Sequence, residues 1–242
     1  MEWSPEQIAA WLRLTYPDRS SWHVCHETIY QAIYHGGHAG LSRQLTKRLR
    51  TGRPLRKRRR RANERTPRFI APAALIDRRP TVVETRTRLG DWEGDLITGR
   101  VNQSAIGTLV DRASRYVKLI HLPCGRGAPA LRDALTLVVL DLAPELRRTL
   151  TWDQGSEMAH HDRIAPLFSD GVFFAYPGRP WERPSNENTN GLLRQYFPKR
   201  TDLSIHSAED LRAVEERLNN RPRKTLGWRT PAQILGAGLR SP

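Results

Sequence analysis

An α/β domain behind a small helical segment is the fold class that this 242-residue sequence predicts. Three observations carry it. Apolar runs of strand length alternate with helical stripes from about residue 85 onward, and two short amphipathic helices open the chain. The stretch between these regions has almost no apolar residues with which to build a core. The boundaries follow as a helical segment over 1–40, a basic arm or linker over 41–84, the α/β domain over 85–237 and a tail over 238–242.

The first helix is announced by 4-SPEQIAAWLRLTYP-17, where Ser4, Pro5 and Glu6 make a helix start. Ile8, Trp11, Leu12 and Tyr16 then fall on one helical face. After the turn-like PDRSS, 24-VCHETIYQAIY-34 gives a second helix with Ile29, Ala32 and Ile33 as its apolar stripe. Two short helices with a tight connection, beside a basic arm, have the form of a helix-turn-helix. An ordinary helical hairpin has the same spacing.

The arm dominates the charge. The chain carries 40 Lys and Arg against 25 Asp and Glu, a formal net charge of +15. Between Arg43 and Arg68 stand 13 of those cations and one acid, Glu64, so that segment alone holds +12. A polyanion is the partner such a balance favours, nucleic acid or an anionic membrane surface. Arg56, Lys57, Arg58, Arg59, Arg60 and Arg61 form an unbroken run suited to tracking DNA phosphates. No membrane span is expected, because the longest apolar stretch, 134-ALTLVVL-140, is far too short to cross a bilayer. The chain shows no export signal, and Cys25 and Cys124 stand 99 positions apart, so a reducing cytoplasm is the expected compartment.

Within the α/β region, 91-DWEGDLITG-99 reads as a strand, and 104–122 reads as two more around an Arg-Ala-Ser turn. A helix follows over 128–144, with Leu131, Leu135, Val138 and Leu142 on one face. 149-TLTWD-153 and 171-GVFFAY-176 are further strands. A helix from about Ser185 and another over 207–220, opened by Ser-x-x-Asp, complete the order. Three strands, a helix, then strand and helix again is the succession of a ribonuclease H-like sheet.

Three carboxylates stand apart from those on helix surfaces. Asp95 lies within a strand, Asp153 ends one, and Glu187 opens a helix after a Pro-rich loop. Acids so placed converge on one sheet edge, where hard divalent cations take oxygen ligands. Two ions held by three carboxylates activate an attacking oxygen and stabilise a leaving one in phosphoryl displacement. Taken singly, each acid is equally well a solvated or structural residue. Glu157 and Asp91 are spare acids nearby. Trp92 and Trp181 flank the acidic segments, either to stack on an unpaired base or to pack. Asn186, Asn188 and Asn190 either contact DNA or cap the helix start.

The segments 88-RLGDWEGDLITG-99, 151-TWDQGSEMAHH-161, 180-PWERPSNENTNGLLRQYFPKRTDL-203 and 219-NNRPRKTLGWRTPAQIL-235 resemble the DDE transposases of the insertion sequence 30 family. These are bacterial enzymes with an integrase-type catalytic core. The resemblance runs from about residue 3 to 236, with 33 residues between Asp153 and Glu187 as in the family motif. It implies a retroviral integrase-type core over 85–237, with Asp95, Asp153 and Glu187 as catalytic acids and metal ligands. It implies two Mg²⁺ ions, replaceable by Mn²⁺, strand cleavage at element ends, and attack of the freed 3′-hydroxyl on target DNA. DNA and further copies of the chain on that DNA are the implied partners, with no small-molecule substrate and a nucleoid-associated location. Arg194 and Lys199 are placed to hold backbone phosphates or to solvate the surface, and His161 stands behind the ligands or on the DNA side, not among the ligands. Against the family pattern, Tyr176 and Pro184 are changed in the loop before Glu187, Cys25 replaces a capping Ser, and the family's amino-terminal helix-turn-helix region is expected to be missing. Two other readings compete: a truncated, non-catalytic DNA-binding copy that inhibits transposition, and a nuclease without strand transfer.

Overall fold

The computed structural model describes residues 3–34 and 74–240. The arm residues Arg56 to Arg61 therefore lie outside the described residues. The chain divides into two compact units, residues 1–61 with 220–234, and residues 62–219 with 235–242.

In the first unit, α1 (Pro5–Thr15) begins with a reciprocal cap: the Ser4 hydroxyl accepts from the Gln7 amide at 3.3 Å, and Gln7 Oε1 accepts from the Ser4 amide at 2.9 Å. A single turn over Ser20–Trp22 leads to α2 (His26–Tyr34). The capping role at α2 falls to a thiol, since Cys25 Sγ accepts from the Thr28 amide at 3.4 Å. Trp11 packs edge-on against Trp3 and Tyr16, each at 5.6 Å. The tail segment after Asn220 joins this unit by polar contacts with α1. Gln7 Nε2 donates to the Pro222 carbonyl at 2.7 Å, Arg221 Nε donates to Gln7 Oε1 at 2.8 Å, and Lys224 pairs with Glu6 at 2.7 Å.

The second unit opens with a short helix, α3 (Val82–Thr85), and then three strands, β1 (Asp91–Thr98), β2 (Ala105–Asp111) and β3 (Val117–Ile120). Next come α4 (Ala128–Leu140), β4 (Thr149–Trp152), the single turn α5 (His161–Ile164) and β5 (Gly171–Phe174). α6 (Pro184–Leu193) and α7 (Ala208–Asn219) follow, and α8 (Pro231–Gly238) closes the described chain. The sheet runs β3-β2-β1-β4-β5. β1, β2 and β3 pair antiparallel, whereas β4 lies parallel to β1 and β5 parallel to β4. That order and those directions make the unit a ribonuclease H-like α/β fold.

Side-chain alternation along β1 fixes what each face does. Trp92 joins Leu109, Leu131, Leu135, Leu150 and Trp152 in one core beneath α4. Ile97 joins Ile106, Val110, Leu192, Leu193, Leu211 and Leu218 in a second core beneath α6 and α7. Asp91, Glu93 and Asp95 share the Ile97 side of the strand, so three acids point toward α6 and α7. Gly94 sits on the opposite side, and its lack of a side chain is required there: a Cβ would lie 1.9 Å from Trp152 Cε3. Among the described residues no helix is long and apolar enough to cross a membrane.

Candidate active site

α6 is laid along β1, and three polar contacts set its register. At its start the Asn186 amide donates to Glu93 Oε2 at 2.9 Å. One turn on, Asn190 Nδ2 donates to Asp95 Oδ2 at 2.9 Å. Just past its end Arg194 Nη2 donates to the Thr98 carbonyl at 3.2 Å. Pro184 occupies the first helical turn, where the missing amide hydrogen has no partner to lose, so this departure from the family pattern suits the helix. Tyr176 is likewise accommodated, its hydroxyl donating to Asp77 at 2.6 Å and its amide to Glu182 at 2.8 Å.

Asp95 and Asp153 are brought together at one arginine. Arg183, the residue capping α6, places Nη2 3.2 Å from Asp153 Oδ2 and Nη1 3.7 Å from Asp95 Oδ2. Nη1 also donates to the Gly94 carbonyl at 2.8 Å, which fixes the guanidinium between the two acids. Burial pushes the Asp95 carboxyl above its ordinary value; Arg183 opposes that shift and the Asp153 charge adds to it. Glu157 is a fourth carboxylate here, accepting from Trp152 Nε1 at 3.3 Å. Burial, then the neighbouring Asp153 and Asp95 charges, raise it as well.

Glu187 is exposed in the first turn of α6, three residues before Asn190, which reaches Asp95. Among the described residues no three of His, Cys, Asp and Glu are gathered into a group that could hold a metal ion. The structure thus joins Asp95 to Asp153 and leaves Glu187 at their margin.

The remaining residues separate cleanly. Asp91 is no part of this site: it is buried at the other end of β1, held by Arg88 at 2.8 and 3.0 Å and by the Thr149 hydroxyl at 2.8 Å. Trp92 is a core residue, fully buried with its Nε1 on the Leu146 carbonyl at 2.6 Å, whereas Trp181 is 64% exposed. His161 packs edge-on against Phe174 at 5.0 Å and bonds the Met158 carbonyl at 3.1 Å. Asn186 is buried, its Oδ1 accepting from the Thr108 hydroxyl at 3.0 Å, and Asn188 is exposed. Arg194 is partly buried with both terminal nitrogens on backbone carbonyls, while Lys199 is exposed.

Sequence reasoning passed over Arg183, Glu93 and Arg112. Arg183 was readable from its place one helical turn before Glu187. Arg112 was readable as a cation directly after a buried, mostly apolar strand. Its Nη1 donates to Glu93 Oε1 at 2.6 Å, and it is 1% exposed.

No protein-family model matches the chain. Whole-chain relatives do. The transposase for insertion sequence element IS1086 of Cupriavidus metallidurans is 46% identical over 241 residues, which is 100% of this chain and 70% of that protein. The transposase InsI for insertion sequence element IS30A of Escherichia coli is 43% identical over 241 residues, 99% of this chain and 62% of that protein. The transposase for IS4351 of Bacteroides fragilis is 39% identical over 229 residues, 94% of this chain and 67% of that protein. Among solved structures, the catalytic core domain of BIV integrase resembles the chain at a TM-score of 0.44 and 16% identity, covering 62% of this chain and 95% of that one. On identities of 46% and 43% carried across essentially its whole length, the chain belongs to the insertion sequence 30 family of transposases.

Proposed function

We propose that this chain is a DDE polynucleotidyl transferase that cuts DNA at the ends of a mobile element and joins the freed 3′-hydroxyl to target DNA. The observation that carries the reading is the convergence of Asp95 and Asp153 on one cation, the residue that opens α6, with Glu187 in that helix's first turn. The donor set suits Mg²⁺. Asp95 and Asp153 offer hard carboxylate oxygens, and the buried Asn190 Oδ1 beside Asp95 has no hydrogen-bond partner. Asp95, Asp153 and Glu187 are the residues that would hold two such ions, with Mn²⁺ as a substitute. Bound there, the metal would supply charge stabilisation to the transferring phosphoryl group and lower the pKa of the attacking hydroxyl.

The chain's own residues do the rest. β1 carries Asp95 and the end of β4 presents Asp153, Asn190 orients the Asp95 carboxylate, and Glu93 holds the start of α6, whose first turn carries Glu187. Arg56 to Arg61 supply phosphate contacts that position DNA without reading its sequence. Lys199 adds a further cation beyond α6. The chain works as an oligomer on paired element ends, in the bacterial cytoplasm at the nucleoid.

Strand transfer with purified protein, Mg²⁺ and element-end DNA tests this reading. Asp153→Asn is expected to abolish product while leaving DNA binding intact, and undiminished activity in that variant would overturn the assignment. Binding of end DNA by the unaltered chain with neither cleavage nor transfer would establish the non-catalytic reading instead. Neutralising Arg56 to Arg61 is expected to weaken DNA affinity and flatten its dependence on salt.

A further inference from the structure

We infer that Arg183 is a built-in counter-cation, seated between Asp95 and Asp153, that a divalent metal must displace in order to bind. This rests on the metal site proposed above. The guanidinium reaches both acids at once, 3.2 Å from Asp153 Oδ2 and 3.7 Å from Asp95 Oδ2, the two carboxylates that would hold the ion. Its side chain is 11% exposed, against 28% for Asp95 and 42% for Asp153, so it lies deeper than the carboxylates it joins.

The seat holds, but not completely. The Gly94 carbonyl takes Nη1 at 2.8 Å, while Nε is buried without a hydrogen-bond partner. A fully matched arginine, such as Arg112 with Glu93, Glu84 and the Val83 carbonyl on its three nitrogens, has no reason to leave. Arg183 has one unmatched donor and one long ion pair, so an arriving dication competes on favourable terms. The displaced guanidinium stays tethered at the start of α6, beside the acids, where a DNA phosphate is the anion that would next be available. Metal and DNA would then help each other: the phosphate draws Arg183 off the acids, and the ion prevents its return. Without DNA the same residue offsets one of the two carboxylate charges, which lessens their mutual repulsion.

Mn²⁺ binding measured calorimetrically and by electron paramagnetic resonance, with and without a short duplex of random sequence, tests this inference. Arg183→Gln keeps a donor for the Gly94 carbonyl and removes the charge. In the absence of DNA it is expected to bind Mn²⁺ at least about tenfold more tightly than the unaltered chain, and to gain less when DNA is added. Arg194→Gln controls for the general loss of a positive charge, since Arg194 feels the Asp95 charge but bonds backbone carbonyls. It is expected to shift Mn²⁺ affinity far less. Arg183→Lys retains the charge and is expected to stay near the unaltered chain, and thermal melting of each variant establishes that α6 remains folded. Equal Mn²⁺ affinity in the unaltered and Arg183→Gln chains, or an equal gain from Arg194→Gln, overturns the inference alone. Failure of the unaltered chain and every variant to bind Mn²⁺ overturns both the inference and the catalytic reading beneath it.

Discussion

Asp91, Glu93 and Asp95 share one face of one strand, yet the two ends of that row are built on different terms. At one end, Asp91 takes a two-pronged arginine and a hydroxyl, and Glu93 takes Arg112 and the Asn186 amide. Arg112 goes on to Glu84, and Arg79 joins Glu84 to the Thr151 hydroxyl, so a buried network surrounds the acids with donors. At the other end, Asp95 has an asparagine, the Leu96 amide, and an arginine that it shares with Asp153. The contrast separates two uses of a carboxylate. A buried acid with every oxygen matched holds elements in place; an acid at a half-open edge, sharing an arginine with a second acid, is ready to change partners.

The largest effect expected from that contrast is a reversal between neighbours two residues apart. Glu93→Ala takes from the buried Arg112 its closest carboxylate, leaving only the exposed Glu84 as an acidic partner, and should cost about 3 kcal/mol of unfolding free energy in a urea titration. It also releases the start of α6, so strand transfer is lost together with stability. Asp95→Asn should change stability by about 1 kcal/mol or less, since a partly exposed pair contributes little, while abolishing transfer. A stable, inactive Glu93 variant beside an unfolded Asp95 variant would invert the assignment of the two ends.

Gly94 stands between the two acids and offers a smaller, more local break. A methyl group there meets the Trp152 ring, whose neighbour in sequence is Asp153. Overpacking of this kind costs about 1–3 kcal/mol. Gly94→Ala should therefore lower the melting temperature and alter tryptophan fluorescence, and it should reduce transfer by moving Asp153 instead of removing it. Unchanged fluorescence and full activity would show that β1 and β4 tolerate separation at this point.

These tests turn on features that the sequence revealed unevenly. The strands were legible because half-buried and fully buried runs such as 105-AIGTLVD-111 have little other use. α4 was legible from its leucine stripe, although it ends at Leu140, before the predicted 144. Asp95 and Asp153 could be singled out as acids at strand positions, and the structure brings them together. What periodicity cannot supply is the register of α6 on β1, because that depends on contacts between residues some 90 positions apart. Glu93 therefore passed as one more acid in a strand, Arg183 as one more arginine in a loop, and Asp91 as a spare acid near a site that lies at the other end of its strand. Trp92 and Trp181 show the same limit: identical residue types beside acidic segments, one fully buried and one exposed, with only the fold to tell them apart.

Glu215 supplies the smallest effect and the sharpest control on the comparison. It is a buried acid on α7, like Glu93 in burial, but its carboxylate accepts from the Leu119 amide of β3 in place of a guanidinium. Burial raises its carboxyl above the ordinary value of 4.5. In the folded state it therefore keeps its proton to higher pH than in the unfolded chain, so the native state binds more protons in the window between the two values. Stability consequently falls as pH rises through that window, and the cost is full above the folded value. Glu215→Gln retains an acceptor for Leu119 without the charge. It should be more stable than the unaltered chain near neutral pH, and that gain should disappear below the ordinary value of 4.5. Urea titrations at neutral and acidic pH measure the difference. A loss of stability at neutral pH, as expected for Glu93, would mean that a backbone amide matches a buried carboxylate as well as an arginine does, and charge pairing would no longer distinguish the two ends of β1.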